Sequence, residues 1–150
     1  MTVYASSEGA CLTNADAEAA VPPRRLKVLF AEDEVLLRLM LCDVLRESGF
    51  QVFEAADAAE AIAILRTTPV DVVITDLHMR VVGDGMEFAR HVRAHCPRVS
   101  LLLASANAPP ISEHSPFDAF FIKPYQPEDI VTWIRRRHTS TSDHADSSLR

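Results

Sequence analysis

The feature that most constrains this chain is a regular alternation of short apolar runs with longer stretches of helical periodicity. Leu26-Lys27-Val28-Leu29-Phe30-Ala31 is the first apolar run. From Glu34 to Ser48, Leu36, Leu37, Met40, Leu41, Val44 and Leu45 recur at helical spacing, and Gly49 stands where a helix stops. Val52 and Phe53 mark a second strand. Asp57, with Glu60 three residues on, makes a capping box that predicts a helix over 58–66. Strands are predicted again at 70–75, 99–104 and 119–122. A third helix is predicted over 85–95, with Met86, Ala89 and Val92 on one face. A last one begins at Pro127, with Glu128 and Asp129 in its positive first turn, and buries Ile130, Trp133 and Ile134. Strand–helix alternation means parallel strands joined by right-handed crossovers. The expected fold is α/β, a flavodoxin-like doubly wound five-stranded parallel sheet of the (βα)5 type.

The ends of the chain read differently. Residues 1–25 are rich in Ala, Ser and acidic residues and close on Pro22-Pro23-Arg24-Arg25, which predicts a flexible N-terminal extension. The polar run at 139–150 predicts a disordered tail, leaving 26–138 as the folded domain. No apolar run reaches the roughly 18 residues that span a bilayer. Cys11, Cys42 and Cys96 are sparse, odd in number and form no CxxC pair. A reducing, cytoplasmic setting is therefore the expectation. The net charge of −6 argues against DNA as the main partner.

In open parallel sheets, chemistry collects at the carboxyl ends of the strands, near the point where strand order reverses. Here the first strand ends in Glu32-Asp33, the third in Asp76, the fourth in Ser105 and the fifth in Lys123-Pro124. Lys123 is one of only two lysines, the other being Lys27. Any one of these residues alone could be a cap or a solvated side chain. Four strand ends supplying carboxylates, a hydroxyl and an ammonium together fit phosphoryl transfer. Hard carboxylate oxygens suit Mg²⁺. A carboxylate can attack phosphorus to form an acyl phosphate. A cation, a lysine and a hydroxyl can share the charge on the phosphoryl oxygens.

These residues lie in VLFAEDE at 28–34, VVITDLHM at 72–79, LLLASA at 101–106 and FFIKPY at 120–125, with Asp84-Gly85 before the third helix. In them the chain resembles the response-regulator receiver family of the chemotaxis-regulator fold, over about residues 26–137. The resemblance implies that Asp76 is the phosphoacceptor and that Asp33 binds Mg²⁺ directly. It implies that Glu32 does so directly or through water, with the His78 backbone carbonyl as a further ligand. Lys123 would pair with a phosphoryl oxygen, Ser105 would hydrogen-bond the phosphoryl group, and Phe120 would be the aromatic switch. Phosphoryl donors would be a histidine kinase, a phosphotransfer protein or a small molecule such as acetyl phosphate. The chain would be a signalling phosphoacceptor rather than an enzyme on other substrates. Too short to carry an output domain, it would act by contact with a downstream protein target, as a monomer or weak dimer.

Three departures from the family pattern stand out. Arg80 replaces the proline that usually follows Met79, and the loop from Asp76 to Asp84 is about one residue longer than the family's usual loop. Between Ser105 and Lys123 the chain is short and holds Pro109, Pro110 and Pro116, which predicts a short or missing fourth helix. Two alternatives from other classes share part of the pattern. A haloacid-dehalogenase-like phosphatase wants a second Asp where His78 stands. A flavodoxin-like cofactor-binding module wants a Gly- or Ser-rich phosphate loop where Glu32-Asp33 stands. His91 and His95 form an HxxxH pair, a weak metal signal that reads as surface residues. Arg135, Arg136 and Arg137 suit the carboxyl end of a helix.

Overall fold

The computed structural model describes residues 24–79, 84–107 and 114–145. In chain order the elements are β1 (Lys27–Ala31), α1 (Val35–Glu47), β2 (Gln51–Ala55), α2 (Ala58–Thr67), β3 (Val72–Thr75), α3 (Asp84–His95), β4 (Ser100–Ser105), β5 (Ala119–Ile122) and α4 (Pro127–Ala145). The strands form one parallel sheet in the order β2-β1-β3-β4-β5. Strand order reverses at β1, so the crevice between the carboxyl ends of β1 and β3 is the switch point where such sheets bind ligands. Register places Ala31 beside Thr75, so Glu32 and Asp76, the next residues, leave adjacent strands side by side.

Local chemistry explains the boundaries. α1 ends in a Schellman motif: the Gly49 N–H donates to the Arg46 carbonyl and the Phe50 N–H to the Leu45 carbonyl. Gly49 takes φ +94°, where a side chain would be strained, and Phe50 turns back into the core. Asp57 caps α2 by accepting the Glu60 N–H at 2.8 Å. Glu60 answers by accepting the Ala56 N–H at 2.8 Å, one residue before the expected partner.

Two cores cover the two faces of the sheet. On one, Val28, Phe30, Ile74 and Leu102 pack against Leu41 and Leu45 of α1 and Ile130 and Ile134 of α4. On the other, Leu29, Val73 and Leu101 pack against Ala61 of α2 and Phe88 and Val92 of α3. Cys42 belongs to the first core; its thiol is pushed up to about 12, foremost by burial, and it behaves as a small apolar residue. Among the described residues no helix is long and apolar enough to cross a membrane.

Two expectations change, and one helix shows a feature its spacing left open. The folded unit was expected to stop at 138, with 139–150 disordered. Instead α4 continues to Ala145, through a polar run in which the Thr139 hydroxyl donates to the Arg135 carbonyl one turn back at 2.7 Å. At the other end Arg24 is already tied to Asp71 at 2.6 Å, two residues before the expected start. The apolar spacing on α1 does not mark a single buried face. Leu41 and Leu45 are buried, but Leu36 is 70% and Met40 62% exposed.

Between β4 and β5, residues 106–107 and 114–118 hold no helix, and 108–113 lie outside the described residues. The entry to β5 is fixed instead by Arg93 of α3. Its guanidinium donates to the carbonyls of Pro116 at 2.6 Å and Val99 at 2.8 Å, and to the Asp118 carboxylate at 2.6 Å. That carboxylate also accepts the Leu101 N–H at 2.8 Å, so one arginine ties the start of β5 to both α3 and β4.

Candidate functional site

Glu32, Asp76 and Lys123 meet at the switch point. The Lys123 ammonium donates to Asp76 Oδ2 at 2.6 Å and to Glu32 Oε2 at 2.7 Å. Each carboxylate is fixed by its own loop as well. Glu32 Oε1 accepts the Glu34 N–H at 3.2 Å, and Asp76 Oδ1 accepts the His78 N–H at 3.1 Å. Arg38 donates to the Glu32 backbone carbonyl at 2.7 Å, tying α1 to the same turn. Lys123 reaches in from the end of β5, where its own N–H donates to the Ser105 carbonyl at 2.9 Å and the Lys123–Pro124 bond is cis.

The charges are unbalanced and poorly hydrated. Glu32 is 1% exposed, and Asp76 is buried too. Burial raises the Glu32 carboxyl above its ordinary value; the nearby Asp76 charge adds to this, and the Lys123 bond opposes it. Burial alone would lower Lys123, but its bonds to Asp76 and Glu32 outweigh that and hold the ammonium above its ordinary value. Among the described residues, two carboxylates thus share one cation in a half-buried site.

The other predicted residues sit around this triad. Asp33 follows Glu32 and is half-exposed. The Ser105 hydroxyl is buried and makes no hydrogen bond among the described residues, so the site holds a donor with nothing to donate to. Phe120 is 49% exposed on the outer strand, and the His78 side chain is exposed. Residues 80–83, which carry the Arg80 departure and the extra loop length, lie outside the described residues. Among the described residues no three His, Cys, Asp or Glu side chains close into a ready-made metal cage.

Gly85 was noted in sequence only as a motif residue, and the structure gives its reason. A Cβ there would run into the Asp76 carbonyl oxygen and lie 2.5 Å from the Leu77 Cα. The amino end of α3 presses directly on the backbone that carries Asp76, and only glycine permits it.

An open five-stranded parallel sheet with an acid–lysine cluster at its switch point defines a narrow class of protein. A family model for the response regulator receiver domain matches residues 28–135, and the chain belongs to that family. It is 32% identical over 123 residues to the transcriptional regulatory protein PdtaR of Mycobacterium tuberculosis, covering 79% of this chain and 58% of PdtaR. The solved structure of the chemotaxis response regulator CheY4 of Vibrio cholerae is 28% identical, with TM-score 0.67, over 75% of this chain and 98% of CheY4. The response regulator TrrA of Thermotoga maritima, solved in complex with Mg²⁺-BeF, is 23% identical. Its TM-score is 0.67, over 74% of this chain and 97% of TrrA, a likeness of fold. The chain spans a little over half the length of PdtaR. The family match decides among the three readings weighed from sequence in favour of the receiver.

Proposed function

We propose that this chain accepts a phosphoryl group on Asp76 from a histidine kinase or a phosphotransfer protein, with Mg²⁺, and signals by contact with a downstream protein. The observation that carries this reading is the placement of Lys123 between Glu32 and Asp76. A half-buried lysine paired with two carboxylates can be purely structural. The buried Ser105 hydroxyl without a partner argues otherwise, since it lies at the end of the adjacent strand β4 and is free to donate to an arriving oxyanion.

The donor set suits a hard cation that keeps several waters. Glu32, Asp33 and Asp76 offer only oxygens, the His78 carbonyl would add another, and the open arrangement leaves positions for water and phosphate. When bound, Mg²⁺ would offset charge on the phosphoryl oxygens. Residues of the chain do the rest. Asp76 Oδ1 is held by the His78 N–H, which orients the carboxylate. Lys123 has to release Asp76 Oδ2 as that oxygen becomes nucleophilic, and a phosphoryl oxygen is the natural new partner for its ammonium. Ser105 donates to a second phosphoryl oxygen. Phe120, exposed on β5 two residues from Ile122, follows that movement as the switch.

A protein donor has to bring its phosphoryl group to Asp76 and so must cover the neighbouring surface. Val35, Leu36, Leu39 and Met40 of α1 are exposed there, an apolar stripe suited to a helical partner. TrrA has been solved with the histidine kinase ThkA, which supports a kinase as partner. The reading is tested through its metal: Asp33→Ala should lose Mg²⁺ affinity and phosphorylation together. A variant that keeps Mg²⁺ affinity and is labelled normally would contradict it.

A further inference from the structure

Beside Lys123, a groove of about 340 Å³ opens between α1 and the turn that follows β5. Leu37, Met40 and Leu41 form one wall, and Pro124, Tyr125 and Pro127 form the other. Among the described residues, Lys123 is the one charged residue in the lining. The volume falls in the range of small-molecule sites, roughly 300–1,000 Å³, which combine an apolar wall with few polar groups. An occupant therefore needs an apolar body, and Lys123, as it releases Asp76, can take an anionic oxygen at one end. The same ammonium lies 2.6 Å from Asp76 Oδ2, so an anion that it holds is already at the phosphoacceptor.

We propose that this groove is a leaving-group pocket for small acyl phosphates with an apolar tail, seating the tail between α1 and Pro124–Pro127 while the phosphoryl end lies between Lys123 and Asp76. The proposal rests on Asp76 being the phosphoacceptor. An Asp76 oxygen attacks phosphorus, the bond from phosphorus to the bridging acyl oxygen breaks, and its electron pair leaves with the carboxylate product. No proton moves, and total charge is unchanged. The tail contributes only binding, so the gain appears in kcat/KM and grows with each methylene buried. A tail of three or four carbons reaches into the groove, whereas acetyl phosphate leaves most of it empty.

The experiment measures kcat/KM for phosphorylation of the full chain, with Mg²⁺, by acetyl, propionyl and butyryl phosphates. Their leaving acids are nearly equal in strength, so intrinsic reactivity hardly varies. Burying a methylene is worth about fourfold, so butyryl, with two more than acetyl, should exceed acetyl phosphate by roughly fifteenfold. Met40 is largely exposed, and glutamate is a good helix former, so Met40→Glu should fold; it should bring the butyryl-to-acetyl ratio close to one. A flat or falling series with all donors labelling Asp76 would overturn the pocket while leaving the phosphoacceptor intact. A rising series that Met40→Glu leaves unchanged would also overturn it. A flat series in which Met40→Glu slows transfer only from a phosphohistidine protein would assign the groove to a partner side chain instead. If none of the donors labels Asp76, the phosphoacceptor reading fails, and the pocket with it.

Discussion

Replacing Lys123 with methionine removes the single cation from between two carboxylates and keeps the side chain's bulk. Glu32 Oε2 and Asp76 Oδ2 each lie within 2.7 Å of the ammonium, so they face one another across it. At roughly 5 Å and an effective dielectric near 20, two such charges repel by on the order of 3 kcal/mol. That agrees with the cost of about 3–5 kcal/mol for unpairing a buried ion. The loss is a large part of the roughly 5–15 kcal/mol that holds a domain together, but it should leave the variant folded at 25 °C. The pH dependence carries a sign. Without the lysine the Glu32 carboxyl, already raised by burial, rises further in the folded state, so the folded variant takes up a proton more readily than the unfolded chain. Relative to wild type, which carries the same remaining titrating groups, its stability should therefore improve as pH falls from 7 toward 5, narrowing the gap. Mg²⁺ should narrow the gap at pH 7, because it supplies the missing charge. Urea unfolding at pH 7 and pH 5, with and without Mg²⁺, reads all of this. A variant as stable as wild type at pH 7, or one whose gap to wild type does not narrow in acid, would refute the electrostatic argument.

Gly85→Ala should destabilise by about 1–3 kcal/mol, because the added Cβ meets Asp76 backbone rather than a movable side chain; the roughly 0.5–1 kcal/mol that alanine returns to a helix offsets this only in part. Thermal unfolding gives the loss, and the rate of acetyl phosphate labelling should fall as well, since the displaced backbone carries Asp76. His138, held below its ordinary value chiefly by burial near the Ser100 hydroxyl, takes up a proton less readily folded than unfolded. Wild type should therefore lose some stability as pH falls below about 6.5, and His138→Gln should flatten that limb in urea titrations between pH 7 and 5.

The sheet was legible because its strands are short, apolar and punctuated. The capping box at Asp57, the stop at Gly49 and the first turn at Pro127 were each written in local residues whose chemistry does not depend on distant partners. The convergence of Glu32, Asp76, Ser105 and Lys123 was legible for a related reason: a parallel sheet sends every strand's carboxyl end to one edge, so position in the motif implies position in space. What escaped depended on contacts between remote segments. The spacing on α1 shows Leu36 and Met40 as apolar but not that they face outward, because a helix with apolar residues on two sides offers no internal choice. Cys42 and Phe88 were missed as core residues because their neighbours are set by the crossing of α1 and α3 over the sheet. Arg93 carries no motif, and its work at Pro116 and Asp118 exists only once α3 and β5 are brought together. The polar stretch after His138 looked like a tail because composition alone disfavours a helix there, whereas a helix already formed and anchored by Ile130 and Ile134 propagates at little further cost.

The most direct test of the account is to locate the phosphoryl group. The full chain, incubated with acetyl phosphate and Mg²⁺, should gain one acid-labile phosphoryl group per molecule by intact mass. Peptide mapping should place it on Asp76, and Asp76→Asn should remain unmodified under the same conditions. A phosphoryl group that maps elsewhere, or labelling that persists in Asp76→Asn, would contradict the assignment of this carboxylate as the phosphoacceptor.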